Sequence, residues 1–121
     1  MPKILVVDDN AVSRELLRYV LKPLGLEIVE AASGWEALER IAEIRPDVVL
    51  LDVDMPGLDG YGALREIRRK PEWTGLCVVA VTAYAMQGDR DKAIAAGFDD
   101  YVTKPINAVQ FRKYVEELLR T

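Results

Sequence analysis

Val48-Val49-Leu50-Leu51-Asp52-Val53-Asp54-Met55-Pro56-Gly57 is the stretch that decides the fold. Its four apolar residues, two of them β-branched, lie between Pro46-Asp47 and Pro56-Gly57. That length and that flanking predict a strand buried on both faces, not a helix. Asp52 then emerges at the strand's C-terminal end, the edge where ligands and chemistry sit in an open parallel α/β sheet. Asp52 and Asp54 could equally do no more than cap the following loop, as aspartates after strands often do. A second acidic pair, Asp8-Asp9, also follows an apolar run, and it tips the reading toward a site.

Working outward, the same unit recurs. Upstream, Ser33-Gly34-Trp35-Glu36 has capping-box spacing and opens a helix with Ala37, Leu38, Ile41 and Ala42 on its apolar side. Residues 27–31 form a short second strand. Val12, Leu16, Leu17, Val20, Leu21 and Leu24 repeat at helical spacing after Asn10, a suitable N-cap, and Gly25 ends that helix. Residues 3–7 are the first strand, ending in Asp8-Asp9-Asn10. Downstream, 56–60 lead into a helix carrying Leu64 and Ile67, whose Arg65, Arg68, Arg69 and Lys70 suit the helix dipole and read as a solvated face. A loop with Pro71 and Gly75 precedes a fourth strand at 77–81, which ends at Thr82-Ala83. The helix at about 89–96 has Ile94 as its only large aliphatic residue and is stopped by Gly97, so it should be weakly held. Tyr101-Val102-Thr103 is a fifth strand, followed by Lys104-Pro105. The last helix starts at Asn107, with Gln110 three residues later, and buries Phe111, Tyr114, Val115, Leu118 and Leu119.

Composition bounds the function. Residues 1–121 are expected to form one domain, half apolar and 30% charged, in the range of ordinary globular proteins. A net charge of -4 without a basic cluster argues against direct nucleic-acid binding. Apolar runs of strand length and a start that is no signal peptide predict a cytoplasmic chain without membrane contact. Cys77, the single cysteine, reads as a buried structural thiol. The histidine count is zero, which removes histidine nucleophiles, proton shuttles and most zinc or copper sites.

Five strands alternating with five helices predict a parallel sheet wrapped on both faces. Strand ends then carry Asp8-Asp9, Asp52, Thr82 and Lys104. If the first and third strands are neighbours, three carboxylates converge. Each pair at about 4 Å repels by roughly 4 kcal/mol at an effective dielectric near 20. Lys104 offsets one charge, and a divalent cation two. An all-oxygen site selects Mg²⁺ or Mn²⁺, and the Thr82 hydroxyl and Lys104 ammonium beside it suit a phosphoryl group.

Asp8-Asp9, Asp52, Thr82-Ala83 and Lys104-Pro105, in this order and spacing, make the whole chain resemble a response-regulator receiver domain of two-component signalling, similar to single-domain chemotaxis and cell-cycle regulators. The resemblance implies a flavodoxin-like fold with strand order 2-1-3-4-5. It implies that Asp52 takes a phosphoryl group from a sensor histidine kinase or histidine phosphotransfer protein. Asp9 and Asp52 would bind Mg²⁺ directly, Asp54 through its backbone carbonyl and Asp8 through a water. Lys104, Thr82 and the backbone N–H groups of Val53 and Ala83 would contact phosphate oxygens, and the bond before Pro105 would be cis. Thr82 and Tyr101 would act as switch residues, altering the face of helix four, strand five and helix five where a target protein binds. The kinase or phosphotransfer partner would dock around Val12, Ser13, Leu16, Pro105 and Ile106.

Two positions tune phosphoryl lifetime in that family. By that resemblance Asp54 would either repel an incoming hydroxide or bond a metal-bound water, and bulky Tyr84 would restrict access of water. Three other readings compete. Asp52-Val53-Asp54 also resembles the nucleophile motif of haloacid-dehalogenase-type phosphatases, although that motif belongs on the first strand. A nucleotide or flavin module on the same fold would want a Gly-rich or Ser/Thr-rich loop where Asp8-Asp9 stands. A receiver could also bind its partner without phosphorylation.

Overall fold

The computed structural model describes residues 2–55, 57–83, 87–104 and 106–120. Five parallel strands, β1 (Lys3–Val7), β2 (Glu27–Ala31), β3 (Val48–Asp52), β4 (Cys77–Thr82) and β5 (Asp100–Thr103), form one sheet in the order β2-β1-β3-β4-β5. All five residues of β3 are buried at the centre of the sheet. The register pairs Val7 with Leu51, Asp52 with Val81 and Thr82 with Thr103. It thereby aligns the C-terminal ends of four strands along one edge.

Alternation along the strands divides two cores. Leu5, Val7, Val49, Leu51, Val78 and Ala80 face α2 (Gly34–Ile44), α3 (Gly60–Arg69) and α4 (Asp89–Ala96). Ile4, Val6, Leu50, Val79 and Val81 face α1 (Ala11–Leu21) and α5 (Ala108–Arg120). The expected caps form: the side chains of Asn10, Ser33 and Asn107 accept from the N–H groups of Ser13, Glu36 and Gln110. Glu36 reaches back to the N–H of Ala32, one residue before its cap. The α-ladder of α1 stops at Leu21 because Pro23 has no N–H, and a 3₁₀ turn over Lys22–Leu24 carries the chain to Gly25 at φ 67°. Gly60 starts α3 against the acidic strand, where a Cβ would lie 2.6 Å from the Asp52 carbonyl oxygen.

Leu17, Val20 and Leu21 cover the sheet, which leaves Val12 (74% exposed) and Leu16 (53%) at the surface although they share the helical spacing. Several expectations need correcting. Ala42 is likewise exposed on α2. Tyr114, Leu118 and Leu119 lie half-buried at the rim of the second core. Cys77 is half-buried, and burial together with the nearby Asp99 carboxylate pushes its thiol pKa up, keeping it protonated.

The largest correction concerns Arg68, which is no part of a solvated face. Its guanidinium donates twice to the Gly97 carbonyl (3.1 and 2.9 Å), to the Leu76 carbonyl (2.8 Å) and to Asp99 Oδ2 (2.9 Å). The last carbonyls of a helix lack partners within it, and Arg68 supplies one from α3. This matters for α4, where Ala93 is the only buried residue and Ile94 is 41% exposed. The α3–α4 contact is completed by Lys92 Nζ, 5.2 Å from the Tyr61 ring centroid, and by Tyr61 set edge-on to Phe98 at 5.6 Å.

Candidate functional site

Because β1 and β3 are adjacent, the residues at their C-terminal ends converge. One carboxylate oxygen each from Asp8, Asp9 and Asp52 lies within 4.8 Å of the others. Asp8 and Asp52 are 2% and 7% exposed, whereas Asp9 is exposed. Asp8 is tied at both oxygens, accepting from the Asn10 N–H at 2.9 Å and from Lys104 Nζ at 3.0 Å. Asp52 Oδ1 accepts from the Asp54 N–H at 3.0 Å. Burial pushes the Asp52 carboxyl up to about 6; the Asp54 N–H opposes the rise, the Asp8 charge adds to it and Lys104 opposes it. A buried carboxylate beside another, with one ammonium between them, is under-compensated.

The remaining strand ends complete the edge. Thr82 is buried at the end of β4, and its carbonyl accepts from the Lys104 N–H at 2.8 Å, which holds the start of the Lys104 segment next to it. Ala83 is exposed immediately beyond. Val53 is half-buried, with its carbonyl accepting from the Gly60 N–H, and Asp54 is exposed. Tyr101 lies half-buried on β5, in register with Ala80, and its carbonyl accepts from Arg90 Nη1 at 3.3 Å. Burial raises the pKa of its phenol, with the Asp89 charge a further cause. Val12 and Leu16 are exposed, while Ser13 and Ile106 are half-buried. Tyr84 and Pro105 lie outside the described residues, as does Pro56.

The three carboxylates offer oxygen donors only, and among the described residues no nitrogen or sulfur ligand joins them. That donor set fits a hard divalent cation, which would compensate the buried Asp52 charge and its repulsion with Asp8. Arg14 also reaches this region, donating to the Asp8 carbonyl at 2.6 Å. The sequence marks it only faintly, as a cation near the N-terminal end of a helix, where the dipole disfavours one.

A family model described as the response regulator receiver domain matches residues 4–116, so the chain belongs to the receiver-domain family, whose members are phosphoacceptor signalling modules. It is 32% identical over 120 residues to the polar-differentiation response regulator DivK of Brucella anthropi, covering 98% of both chains. An uncharacterized 14.6 kDa protein of Leptolyngbya boryana is 37% identical over 114 residues, covering 94% of this chain and 87% of that one. The chain matches the sensor histidine kinase CheAY of Helicobacter pylori at 33% identity but spans only 15% of its length. Among solved structures, a response regulator from Chloroflexus aurantiacus superposes over the full length of both chains, with a TM-score of 0.92 at 34% identity. The receiver domain of a Pseudomonas aeruginosa sensor histidine kinase, solved with magnesium coordinated in its active-site cleft, gives 0.89 at 33% identity, covering 99% of this chain and 98% of that one. The sheet order is the flavodoxin-like one, and Asp52-Val53-Asp54 lies at the C-terminal end of β3, not of the first strand that a haloacid-dehalogenase-type phosphatase would require. No helix among the described residues is long and apolar enough to cross a membrane.

Proposed function

We propose that residues 1–121 act as one cytoplasmic receiver unit in which Asp52 accepts a phosphoryl group from the phosphohistidine of a sensor kinase or histidine phosphotransfer protein. The observation that carries this reading is the convergence of Asp8, Asp9 and Asp52 oxygens within 4.8 Å at the sheet edge that also holds Thr82 and Lys104. An Asp52 oxygen bonds to phosphorus as the bond to the donor imidazole breaks, and its electron pair leaves with the imidazole. With a carboxyl near 6, Asp52 is largely ionised at neutral pH and available to attack.

Asp9 and Asp52 would hold Mg²⁺ or Mn²⁺, with the Asp54 carbonyl and, through a water, Asp8. The cation, when bound, supplies charge compensation for the carboxylates and the phosphoryl oxygens. Lys104, the Thr82 hydroxyl and the N–H groups of Val53 and Ala83 donate to phosphoryl oxygens, which is how phosphoryl transfer is usually stabilised. Asp54 and Tyr84 tune the lifetime of the product. Thr82 and Tyr101 relay occupancy to the face of α4, β5 and α5, where a target protein binds. The thin apolar contact of α4 supports a movable surface there. The exposed Val12 and Leu16, next to Ser13, support partner docking at the start of α1, together with Pro105 and Ile106.

Peptide mapping after incubation with acetyl phosphate and Mg²⁺ tests the assignment. The phosphoryl group is expected on the peptide containing Asp52, and its appearance elsewhere would refute the reading.

A further inference from the structure

The Asp8 carbonyl belongs to the peptide that joins Asp8 to Asp9, and it is gripped from α1. Arg14 donates to it from Nη1 at 2.6 Å and from Nε to Glu30 Oε1 on β2 at 3.0 Å. Charge-assisted bonds of this length are the strong ones. The Arg14 side chain is only 17% exposed, so it is held in place as well as paired. Glu30 is itself fixed, because its other oxygen accepts from Arg18 Nε at 2.9 Å and Arg18 Nη2 donates to the Ile28 carbonyl at 3.0 Å. The chain Arg18–Glu30–Arg14 therefore anchors one peptide carbonyl to the edge strand of the sheet.

The need for such an anchor shows in the contrast between the two acids. Asp8 has its N–H bonded to the Ala31 carbonyl and both carboxylate oxygens occupied by Asn10 and Lys104. Asp9 is exposed, and its carboxylate has no partner among the described residues. The plane of the Asp8–Asp9 peptide then sets where its Cα–Cβ bond points, and with it the region the carboxylate can reach. We propose that Arg14 is a positioning residue of the acidic site. By clamping the Asp8 carbonyl, it orients that peptide and keeps the Asp9 carboxylate aimed at the oxygens of Asp8 and Asp52.

This rests on the cation-dependent reading above, and two roles for Arg14 give opposite signs. As a bare positive charge beside a cation site, Arg14 opposes Mg²⁺, and its removal would tighten binding. As a clamp it preorganises a ligand, and its removal loosens binding. Groups that orient metal ligands from behind typically account for 10- to 100-fold in affinity.

The test is a calorimetric Mg²⁺ titration of the metal-free parent, Arg14→Gln, Arg14→Lys and Glu30→Gln, with exchange of the hydrogen-bonded amides of Asp8 and Asn10 measured without metal. Arg14→Gln is expected to weaken Mg²⁺ about tenfold and to speed exchange at both amides. Arg14→Lys keeps the charge but cannot bridge both acceptors with a rigid fork, so it should weaken binding similarly. Glu30→Gln leaves the guanidinium in place but loosens it, giving a smaller loss of the same sign, and it carries the test if Arg14→Gln fails to fold. Binding by Arg14→Gln as tight as the parent's or tighter, or unchanged exchange, overturns the proposal. A parent that binds no Mg²⁺ overturns the functional reading instead, and the exchange rates then decide the clamp by themselves.

Discussion

Replacing Asp52 with Asn should make the metal-free protein more stable. The carboxyl sits near 6 in the fold against an ordinary 3.8. At about 1.4 kcal/mol per pH unit, that difference is about 3 kcal/mol of destabilisation by the ionised group. The sign follows from proton binding: between 3.8 and about 6 the folded chain holds the proton more tightly than the unfolded chain. Stability therefore falls as pH rises through that window, and the full cost is present above it. Asn keeps the shape and an acceptor for the Asp54 N–H, but a neutral acceptor is weaker by roughly 1 kcal/mol. The net expectation is about 2 kcal/mol in favour of the variant at pH 7.5, or about 8 °C in Tm for a chain of this size. Urea unfolding in chelator from pH 4 to 8 measures it. The advantage should fade toward pH 4, and added Mg²⁺ should narrow it at pH 7.5 by stabilising only the parent. An Asn variant no more stable than the parent at pH 7.5 in chelator would refute the electrostatic account of the cluster.

Other consequences are as direct. Arg68→Ala should cost about 2 kcal/mol by stripping partners from two carbonyls and Asp99, and hydrogen exchange should quicken most over residues 89–99. Gly60→Ala forces a methyl onto the Asp52 carbonyl and Val53 Cα, both 2.6 Å from the new atom. It should cost about 1–3 kcal/mol in chemical denaturation and slow phosphoryl uptake by shifting Asp52. Burial pulls the Glu30 carboxyl upward, but hydrogen bonds from Arg18 and Arg14 outweigh it and hold the pKa below its ordinary 4.5. The stability from that ion pair is complete above pH 4.5 and lost as pH falls below it, so Glu30→Gln should flatten the acid limb of the unfolding curve.

The strand reading of residues 48–52 carried most of the fold, because a short apolar run between proline-containing turns leaves little choice of element. The same run put Asp52 at the chemical edge. What the sequence could not separate was contact from periodicity. Val12 and Leu16 share the repeat of Leu17 and Leu21, yet a helix on a flat sheet buries one stripe, and only packing decides which residues fall outside it. Arg68 shows the opposite failure. As one of four basic residues it reads as solvent-facing, and its role depends on carbonyls at Gly97 and Leu76 that are distant in sequence. The role of Arg14 is hidden in the sequence for the same reason: its acceptors on Asp8 and Glu30 are brought together only by the pairing of β1 with β2.

The most direct test of phosphoryl acceptance is intact mass after incubation with acetyl phosphate, with and without Mg²⁺, for the parent and Asp52→Asn. One phosphoryl adduct that requires the metal and is absent from the variant is the predicted result. A folded parent that gains no adduct under any condition, or a variant that gains it equally, would contradict the account.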